Sequence, residues 1–288
     1  MLGEFLGILT ALLWAASTIL SAKALRDVNP IRVNMLRTLF SAVTMPFISL
    51  ALGELNEIPN VDLKSFLLVV VAIIIGVGLG DTLLFKSVTM IGVSKSYTIA
   101  YTYPLFTILI AVPALRESLI PKHLLGAIVI TFGVILVTSS RNADQRGEAG
   151  NVNMRGVLVA LGCSVMWAVG TVLVTAGLRG ISPTLANTLR LPFLFLFLLA
   201  VSKPKGKWNL NRWSLAAIAL SGLLGTVVGG VTFLFSVQMI GASRATALSA
   251  TSPLWASIMS SILLKEKVTL RLLSASALVV LGVYALTT

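Results

Sequence analysis

Residues 14–37 read WAASTILSAKALRDVNPIRVNMLR, and residues 167–190 read WAVGTVLVTAGLRGISPTLANTLR. One constant offset of 153 positions (167 − 14) aligns the two stretches, beginning with Trp14 and Trp167. Other identical pairs at this offset include Leu25 and Leu178, Arg26 and Arg179, Pro30 and Pro183, Asn34 and Asn187, Leu36 and Leu189, and Arg37 and Arg190. Self-similarity at a fixed offset indicates a duplication, and the duplication organises the rest of the chain.

A second stretch repeats at an offset of 149 positions (225 − 76). Its identical pairs include Gly76 and Gly225, Gly80 and Gly229, Ser87 and Ser236, Pro104 and Pro253, and Glu117 and Glu266. The offset falls by 4 (153 − 149), which predicts a longer loop in the first half, between the two stretches. We therefore divide the chain into a first repeat, residues 1–140, a polar Gly-containing linker, residues 141–153, and a second repeat, residues 154–288.

The composition predicts that this chain is surrounded by lipid. Of its 288 residues, 57% are hydrophobic and only 11% are charged, whereas a soluble domain has about 25% charged residues. The net charge of +12 comes from Lys and Arg scattered through short loops, so it forms no single basic face. Nucleic acid is therefore not expected as a partner, and the lipid bilayer is.

Ten apolar stretches, five in each half, are long enough to cross a bilayer, since one crossing takes about 20 residues. They lie at residues 5–25, 31–52, 65–90, 94–115, 121–138, 157–178, 184–201, 213–239, 242–264 and 269–286. An odd number of crossings per repeat sends the second copy through the membrane in the opposite sense. The sequence therefore predicts an all-α integral membrane protein whose ten transmembrane helices form two inverted five-helix repeats, an arrangement typical of secondary transporters.

The order of these motifs, which occurs twice, resembles the EamA family of the drug/metabolite transporter superfamily along essentially the whole chain. The matching features are Trp14 and Trp167, the Asn-x-x-Arg after a Pro (Asn34 and Arg37, Asn187 and Arg190), Tyr103-Pro104-Leu105 and Ser252-Pro253-Leu254, and the later Glu117 and Glu266. Tyr103 departs from the Ser of its counterpart. The resemblance implies solute transport, often export of metabolites or amino acids, driven by an ion or solute gradient. It does not define the solute.

Polar residues share one face of several predicted helices. Trp14 shares a face of helix 1 with three hydroxyl residues, and Asn34 shares a face of helix 2 with Arg37. Such a face turns toward the bundle interior, and aromatic hydroxyls suit a cavity for an amphipathic solute. The predicted substrate-binding residues are Trp14, Asn34, Arg37, Tyr97, Tyr101, Trp167, Asn187 and Arg190. Two alternatives stay open: a fold-holding role for Arg37 and Arg190, and an interfacial position for Tyr97.

Asp81 stands out because it is not duplicated. Its repeat mate is Gly230, and the repeat mate of Lys86 is Phe235. A residue needed only for the fold tends to occur in both copies. An ionised carboxylate inside a span costs at least about 2.5 kcal/mol unless it is paired or hydrated. We predict that Asp81 and Lys86 take part in coupling, with Asp81 exchanging a proton. A permanent structural ion pair is the alternative.

Four residues are predicted hinges. Pro104 and Pro253 interrupt the backbone hydrogen bonds of helices 4 and 9 and should kink them. Gly80 and Gly229 lie four residues after another repeated Gly, a spacing that lets helices approach closely in lipid. Static close packing is the alternative for the glycines. Glu117, like its repeat mate, precedes a predicted helix and is expected to complement the dipole of that helix.

The sequence, with the resemblance, predicts a secondary transporter that exports small organic metabolites such as amino acids across the cell membrane by alternating access. The alternatives are a lipid-headgroup flippase, using the basic residues Lys23, Arg37, Lys86 and Lys95, and an anion-type metabolite exchanger. We expect no enzyme, cofactor or metal, because no Ser/His, Cys/His or metal-ligand cluster can be assembled around His123, the only His. The expected partners are a small-molecule solute and protons. Monomer and homo-oligomer both stay open.

Loop charges predict an orientation. Of 22 Lys and Arg residues, four lie well inside predicted spans and 18 (22 − 4) lie in loops or within a few residues of the end of a span. Thirteen of these follow odd-numbered helices, and five (18 − 13) lie on the other side: Lys64, Arg116, Lys122, Arg179 and Arg244. The positive-inside rule then places both termini outside the cytoplasm, whereas the family resemblance implies that both are inside.

Overall fold

The computed structural model describes residues 1–24, 29–91, 93–118, 120–140, 153–202, 211–264 and 270–287. Within these ranges the chain forms thirteen α-helices, two π-helical turns and one 3-10 helix, with no strand. The α-helices are α1 (Leu2–Ala24), α2 (Pro30–Ala51), α3 (Leu63–Ile73), α4 (Gly80–Ile91), α5 (Val93–Ala100), α6 (Tyr103–Leu115), α7 (Pro121–Ser140), α8 (Met154–Gly177), α9 (Pro183–Val201), α10 (Arg212–Gly222), α11 (Gly229–Ser249), α12 (Ser252–Leu264) and α13 (Leu270–Thr287). The predicted linker up to residue 152, Glu266, and the side chains of Lys23 and Lys95 lie outside the described residues.

Six apolar helical stretches are long enough to cross a membrane: Leu2–Ser21, Ile31–Ala51, Leu63–Ile91, Met154–Gly177, Pro183–Val201 and Arg212–Ser249. Shorter apolar helices occupy Tyr103–Leu115, Pro121–Leu136 and Leu273–Leu286. The stretch Arg212–Ser249 breaks its helical geometry at Gly241, which has a φ of 82°. The chain is therefore an all-helical protein with several crossings. The count of ten and the inverted arrangement stay predictions.

Five helices are preceded by a polar residue whose side-chain oxygen accepts a hydrogen bond from a backbone N–H in the first turn, at 2.8–3.3 Å. These caps are Asn29 for α2, Asp62 for α3, Asn153 for α8, Ser182 for α9 and Asn211 for α10. Hydrogen bonds from Ser65, first from its side chain and then from its backbone, hold the pKa of the Asp62 carboxyl below its usual value. Each cap satisfies an otherwise unpaired N–H and sets the residue at which a helix starts.

Both copies of the third predicted helix contain one widened turn of π-helix. Ile74–Leu79 joins α3 to α4, and Leu223–Val228 joins α10 to α11, at the same offset of 149 (223 − 74). A π turn interrupts the regular backbone bonding of an α-helix and is frequent at functional sites. The apolar periodicity of the sequence did not predict either turn.

The predicted proline hinges lie just past a helix break rather than inside a helix. Tyr101 and Thr102 form a turn between α5 and α6, and Pro104 is the second residue of α6. Residues 250–251 separate α11 from α12, whose second residue is Pro253. Because Pro is tolerated in the first turn of a helix, predicted helices 4 and 9 restart ahead of each Pro and do not kink at it.

Most of the extra length in the first repeat lies in a helix. The helix α2 has 22 residues and its repeat mate α9 has 19, so 3 (22 − 19) of the 4 extra positions lengthen α2. The predicted longer loop, which holds the 3-10 helix Glu54–Asn60, accounts for the rest. The first loop is longer, as predicted, but by one position only. Adding about one turn of 3.6 residues keeps the faces of a helix nearly in register, so sequence alignment cannot tell it from a loop insertion.

The helices pair across the two repeats. The helix α1 packs along α11, and α8 packs along α4 and α5, which are the repeat-related contacts. The helices α7 and α13 pack on each other so closely that a Cβ on Gly126 would lie 2.8 Å from the carbonyl oxygen of Gly282. Phe132 on α7 and Val280 on α13 are exposed, which suits contact with lipid.

Candidate functional site

A cavity of about 280 Å³ lies between the two repeats, near the lower end of the range for small-molecule sites. Seven of the eight predicted substrate-binding residues line it: Trp14, Asn34, Arg37, Tyr97, Tyr101, Trp167 and Arg190. Asp81 lines it as well. Both π turns contribute to its wall, through Gly76 and Val77 in the first repeat and Gly225 and Thr226 in the second.

Asn187 does not line this cavity. It is fully buried. Its Nδ2 donates to the carbonyl oxygen of Thr226 at 3.0 Å, and its Oδ1 accepts two hydrogen bonds from Arg190. The adjacent Gly230 has no side chain, and a Cβ there would lie 3.3 Å from the Asn187 amide. Asn187 therefore positions Arg190 and the second π turn by hydrogen bonds, without lining the cavity itself.

Lys86 does not line this cavity either. Its side chain is exposed, because a residue five positions after Asp81 lies about 140° further round the helix. Of the basic residues considered for a lipid headgroup whose side chains the structure describes, Arg37 lines the cavity and Lys86 does not. Within the described ranges, no group of three or more His, Cys, Asp or Glu side chains is placed to hold a metal ion.

Asp81 is held by two neutral donors from the cavity wall. Trp167 Nε1 donates to its Oδ1 at 3.0 Å, and Asn34 Nδ2 donates to its Oδ2 at 3.3 Å. In the other repeat, Trp14 Nε1 donates instead to the carbonyl oxygen of Gly225, in the second π turn, at 3.1 Å. The indole of Trp167 thus donates to a carboxylate, whereas the indole of Trp14 donates to a backbone carbonyl. Through its two hydrogen bonds, Asp81 on α4 also links α2 and α8.

Arg37 and Arg190 are both linked to the second π turn. Arg37 Nη2 donates to Thr226 Oγ1 at 3.3 Å. Arg190 donates to Asn187 Oδ1 from Nε at 3.1 Å and from Nη2 at 3.0 Å. Among the described residues, neither guanidinium group lies at ion-pairing distance from a carboxylate. Two cations are therefore held in the cavity wall by neutral groups.

Thr226 was missed by sequence reasoning. Its repeat mate is Val77, so it belongs to no duplicated polar motif. The comparison of repeat mates that singled out Asp81 would also have found Thr226. Each is a polar residue that aligns with a non-polar residue of the other repeat, Gly230 for Asp81 and Val77 for Thr226.

Four aromatic residues form an aromatic wall: Tyr97, Tyr101, Tyr103 and Trp167. The ring centroids of Tyr101 and Trp167 are 5.8 Å apart at 77°, and those of Tyr103 and Trp167 are 5.6 Å apart at 83°. The hydroxyl groups of Tyr103 and Ser249 are 3.0 Å apart and share a hydrogen bond. Tyr103 was notable in the sequence only as a departure from Ser, and the structure places it in the cavity wall.

The glycines Gly80 and Gly229 make room for the two repeated tryptophans. A Cβ on Gly80 would lie 2.7 Å from Trp167 Cδ1, and a Cβ on Gly229 would lie 3.0 Å from Trp14 Cδ1. A larger residue at either position would displace an indole from its hydrogen bond. These contacts fit the close-packing alternative, and a hinge at the two glycines stays a prediction.

Residues 1–139 and residues 154–288 each match the EamA-like transporter family. The chain belongs to this family. An uncharacterized transporter of Archaeoglobus fulgidus is 25% identical over 286 residues, which cover 99% of this chain and 98% of that protein. The uncharacterized transporter YoaV of Bacillus subtilis is 23% identical over 293 residues, which cover 99% of this chain and 96% of that protein.

A solved crystal structure shares the fold of this EamA-like chain. Its TM-score is 0.83 at 19% sequence identity, over 99% of this chain and 96% of the other. Family membership and the apolar helices together identify the chain as a multi-pass membrane transporter.

Glu117 of this EamA-like transporter caps a helical segment of the other repeat. Its carboxylate oxygens accept hydrogen bonds from the backbone N of Ala242 at 2.5 Å and of Ser243 at 3.1 Å, directly after Gly241. The prediction assigned Glu117 to α7, the helix that follows it, whereas these bonds assign it to the segment that restarts after Gly241. The positive φ of Gly241 interrupts the helix, so the next N–H groups lack helical partners and attract a carboxylate.

One end of the cavity is closed. The helix α11 packs on α6, α8 and α9, and apolar residues such as Leu185, Leu234 and Val237 fill the space between them. In the described part of the chain, the repeat-related helices α4 and α5 make no comparable contact with α1 and α12. Thr18 on α1 is exposed, whereas its repeat mate Thr171 on α8 is only 7% exposed. Two similar halves are thus packed differently at the two ends of the site.

Proposed function

We propose that this protein is a secondary transporter that exports small organic metabolites across the cell membrane by alternating access. In this proposal, ten transmembrane helices form two inverted five-helix repeats, and the cavity between the repeats binds the solute. The observation that carries the proposal is the unequal packing of repeat-related helices around one cavity. The protein is proposed to act without catalysis or a cofactor.

The unequal packing supports alternation because the two repeats can exchange conformations. In an inverted repeat, each contact at one end of the molecule has a counterpart at the other end. Here the contacts of α11 with α6 and α8 close one end, and among the described residues α4 and α5 make no comparable contact with α12 and α1. If the halves exchanged their packing, the closed end would open and the open end would close.

The cavity wall suits a small amphipathic solute. It combines hydroxyl, amide and guanidinium groups with aromatic faces, and a few polar groups in a mainly apolar pocket give orientation and specificity. Its volume of about 280 Å³ fits a metabolite of the size of an amino acid. Asp81, which contacts the wall through Trp167 and Asn34, is proposed to exchange the coupling proton.

Paired cysteine labelling tests alternation. Thr18→Cys and Thr171→Cys are placed singly in a Cys163→Ser background and treated with a membrane-impermeant maleimide in whole cells and in inside-out vesicles. We expect Thr18→Cys to react from one side of the membrane and Thr171→Cys, more slowly, from the opposite side. Ser87→Cys is the control, because Ser87 is fully buried and does not line the cavity, and it should not react.

Two outcomes would contradict the proposal. Reaction of both cavity cysteines from both sides at similar rates would indicate a pore, and no reaction of Thr171→Cys from either side would indicate a single fixed conformation. The same data test the orientation. Loop charges predict that Thr18→Cys reacts from the cytoplasmic side, and the family resemblance implies the other side.

A further inference from the structure

We propose that the solute is a small organic carboxylate, bound at its anionic end by Arg37 and Arg190 and along its flat apolar body by the aromatic wall. This inference rests on the proposed function, because it names the class of solute that occupies the same cavity.

The charged side chains around the cavity do not cancel. Among the described lining residues, the charged ones are Arg37, Arg190 and Asp81, so two guanidinium groups face one carboxylate. The wall has a net charge of +1 (2 − 1) when Asp81 is ionised, and of +2 when Asp81 is protonated. Uncompensated charge within a membrane is costly. A monoanion would lower that cost, a zwitterion would leave the net charge unchanged, and a cation would raise it.

Arg37 has hydrogen-bonding capacity that the protein does not use. A guanidinium group has five N–H donors. Arg37 directs one to Thr226 Oγ1 over 3.3 Å, a long bond, and its Nε is buried with no hydrogen-bond partner. An unsatisfied donor of a charged group is costly in a buried site. Groups of the protein therefore leave this arginine under-bonded, and an oxyanion would satisfy it.

One chain of hydrogen bonds links the second cation to the first. Thr226 accepts from Arg37 through its side chain and from Asn187 through its carbonyl oxygen at 3.0 Å. Asn187 in turn accepts from Arg190 at 3.0 Å. Both guanidinium groups are thus fixed around one residue of the second π turn, and planar forks of this kind recognise a carboxylate by two parallel bonds. A Cβ on Gly225 would collide with the Ser17 side chain and would lie 3.3 Å from Arg37 Nη2, so this glycine leaves room for both side chains.

Asp81 attracts Arg37 through space without forming an ion pair with it, and it orients the solute. Its two oxygens accept from Trp167 and Asn34, and it lies at ion-pairing distance from neither arginine in the described chain. A second carboxylate would be repelled from the Trp167 side of the cavity. The anionic end therefore faces Arg37, and the apolar body faces the aromatic wall, where Tyr101 and Trp167 meet edge to face.

Four small probes with the same ring but different charge test this inference on the full chain in lipid nanodiscs. Equilibrium binding of radiolabelled benzoate is measured, and benzamide, benzylamine and phenylalanine compete as the neutral, cationic and zwitterionic relatives. We expect benzoate to bind at least about ten-fold more tightly than benzamide, the usual effect of one charge-assisted contact. Equal binding of benzamide, a preference for benzylamine or phenylalanine, or no binding of benzoate would each overturn the carboxylate.

Matched variants locate the contact. Arg37→Gln and Arg190→Gln should each weaken benzoate binding by about ten- to a hundred-fold and leave benzamide binding nearly unchanged. Arg155→Gln removes a guanidinium group from an exposed position on α8 and should change neither. Arg37→Lys keeps the charge without the fork and should give an intermediate affinity. A loss of affinity for benzoate and benzamide alike would mean that the arginines only hold the fold.

The comparison of probes on the unaltered chain does not depend on any variant folding. It is also separate from the test of alternating access. Suppose that Thr18→Cys and Thr171→Cys react from opposite sides of the membrane but the protein prefers benzylamine or phenylalanine. These results would refute a carboxylate solute and would still support alternating access. Failure of the labelling test would remove alternating access, whatever the probes show.

Discussion

Asp81→Asn is the sharpest test of proton coupling, and the structure indicates that the variant folds. The amide oxygen can still accept from Trp167 Nε1, now at 3.0 Å from Asp81 Oδ1. The new amide nitrogen faces Asn34 Nδ2, the donor 3.3 Å from Oδ2, until the Asn34 amide turns over and accepts through its oxygen. A hydrogen bond to a charged group exceeds a neutral one by about 1 kcal/mol, so two weakened bonds cost about 2 kcal/mol. Removing an ionised carboxylate from a span returns at least about 2.5 kcal/mol.

These opposing changes nearly cancel, so the effect should appear in transport rather than in stability. If one proton accompanies each solute, a pH difference of one unit supplies about 1.4 kcal/mol and sustains about a ten-fold concentration ratio. Asp81→Asn should still exchange solute at equal pH, and its concentration ratio under the same pH difference should fall to about one.

The assay uses proteoliposomes and benzenesulfonate, an anion that stays ionised and does not cross lipid as a neutral acid. Exchange is measured at equal pH, and accumulation after a pH step. If a folded Asp81→Asn protein accumulated the solute to the same concentration ratio as the unaltered protein, proton exchange at Asp81 would be refuted. A variant that no longer folds would favour a structural role for the carboxylate, and its melting temperature in detergent separates the two results.

Two further predictions concern contacts between helices. Gly170→Ala should lower stability by about 1–3 kcal/mol, because its Cβ would lie 2.6 Å from the Cα of Gly76. Gly162→Ala on the same helix is the control, since its Cβ would meet only a side-chain atom at 3.4 Å, and thermal melting monitored by size-exclusion chromatography should show no loss. Glu117→Ala should destabilise the protein by about 0.5–2 kcal/mol through the lost cap, whereas Glu57→Ala, at an exposed residue, should not. Equal melting temperatures for either pair would show that the contact contributes nothing.

The sequence was sufficient for the broad architecture because that information is periodic. A fixed offset between Trp14 and Trp167 shows the duplication, and long apolar stretches show the crossings, whatever the chain contacts. Helical spacing also placed Arg37 and Tyr101 on inner faces, and the structure has both at the cavity. The lack of duplication at Asp81 marked it as a site residue without any knowledge of its neighbours.

Only the tertiary structure decided which groups meet. Glu117 bonds to Ala242 and Ser243 across 125 and 126 positions, and no local pattern encodes such a contact. Asn187 carries the same motif as Asn34, yet it is fully buried while Asn34 lines the cavity. The two halves share this Asn-x-x-Arg motif, so the motif by itself cannot show which Asn lines the cavity, and packing decides it. The π turns are equally hidden, because widening one helical turn changes backbone bonding without changing the apolar period that a sequence displays.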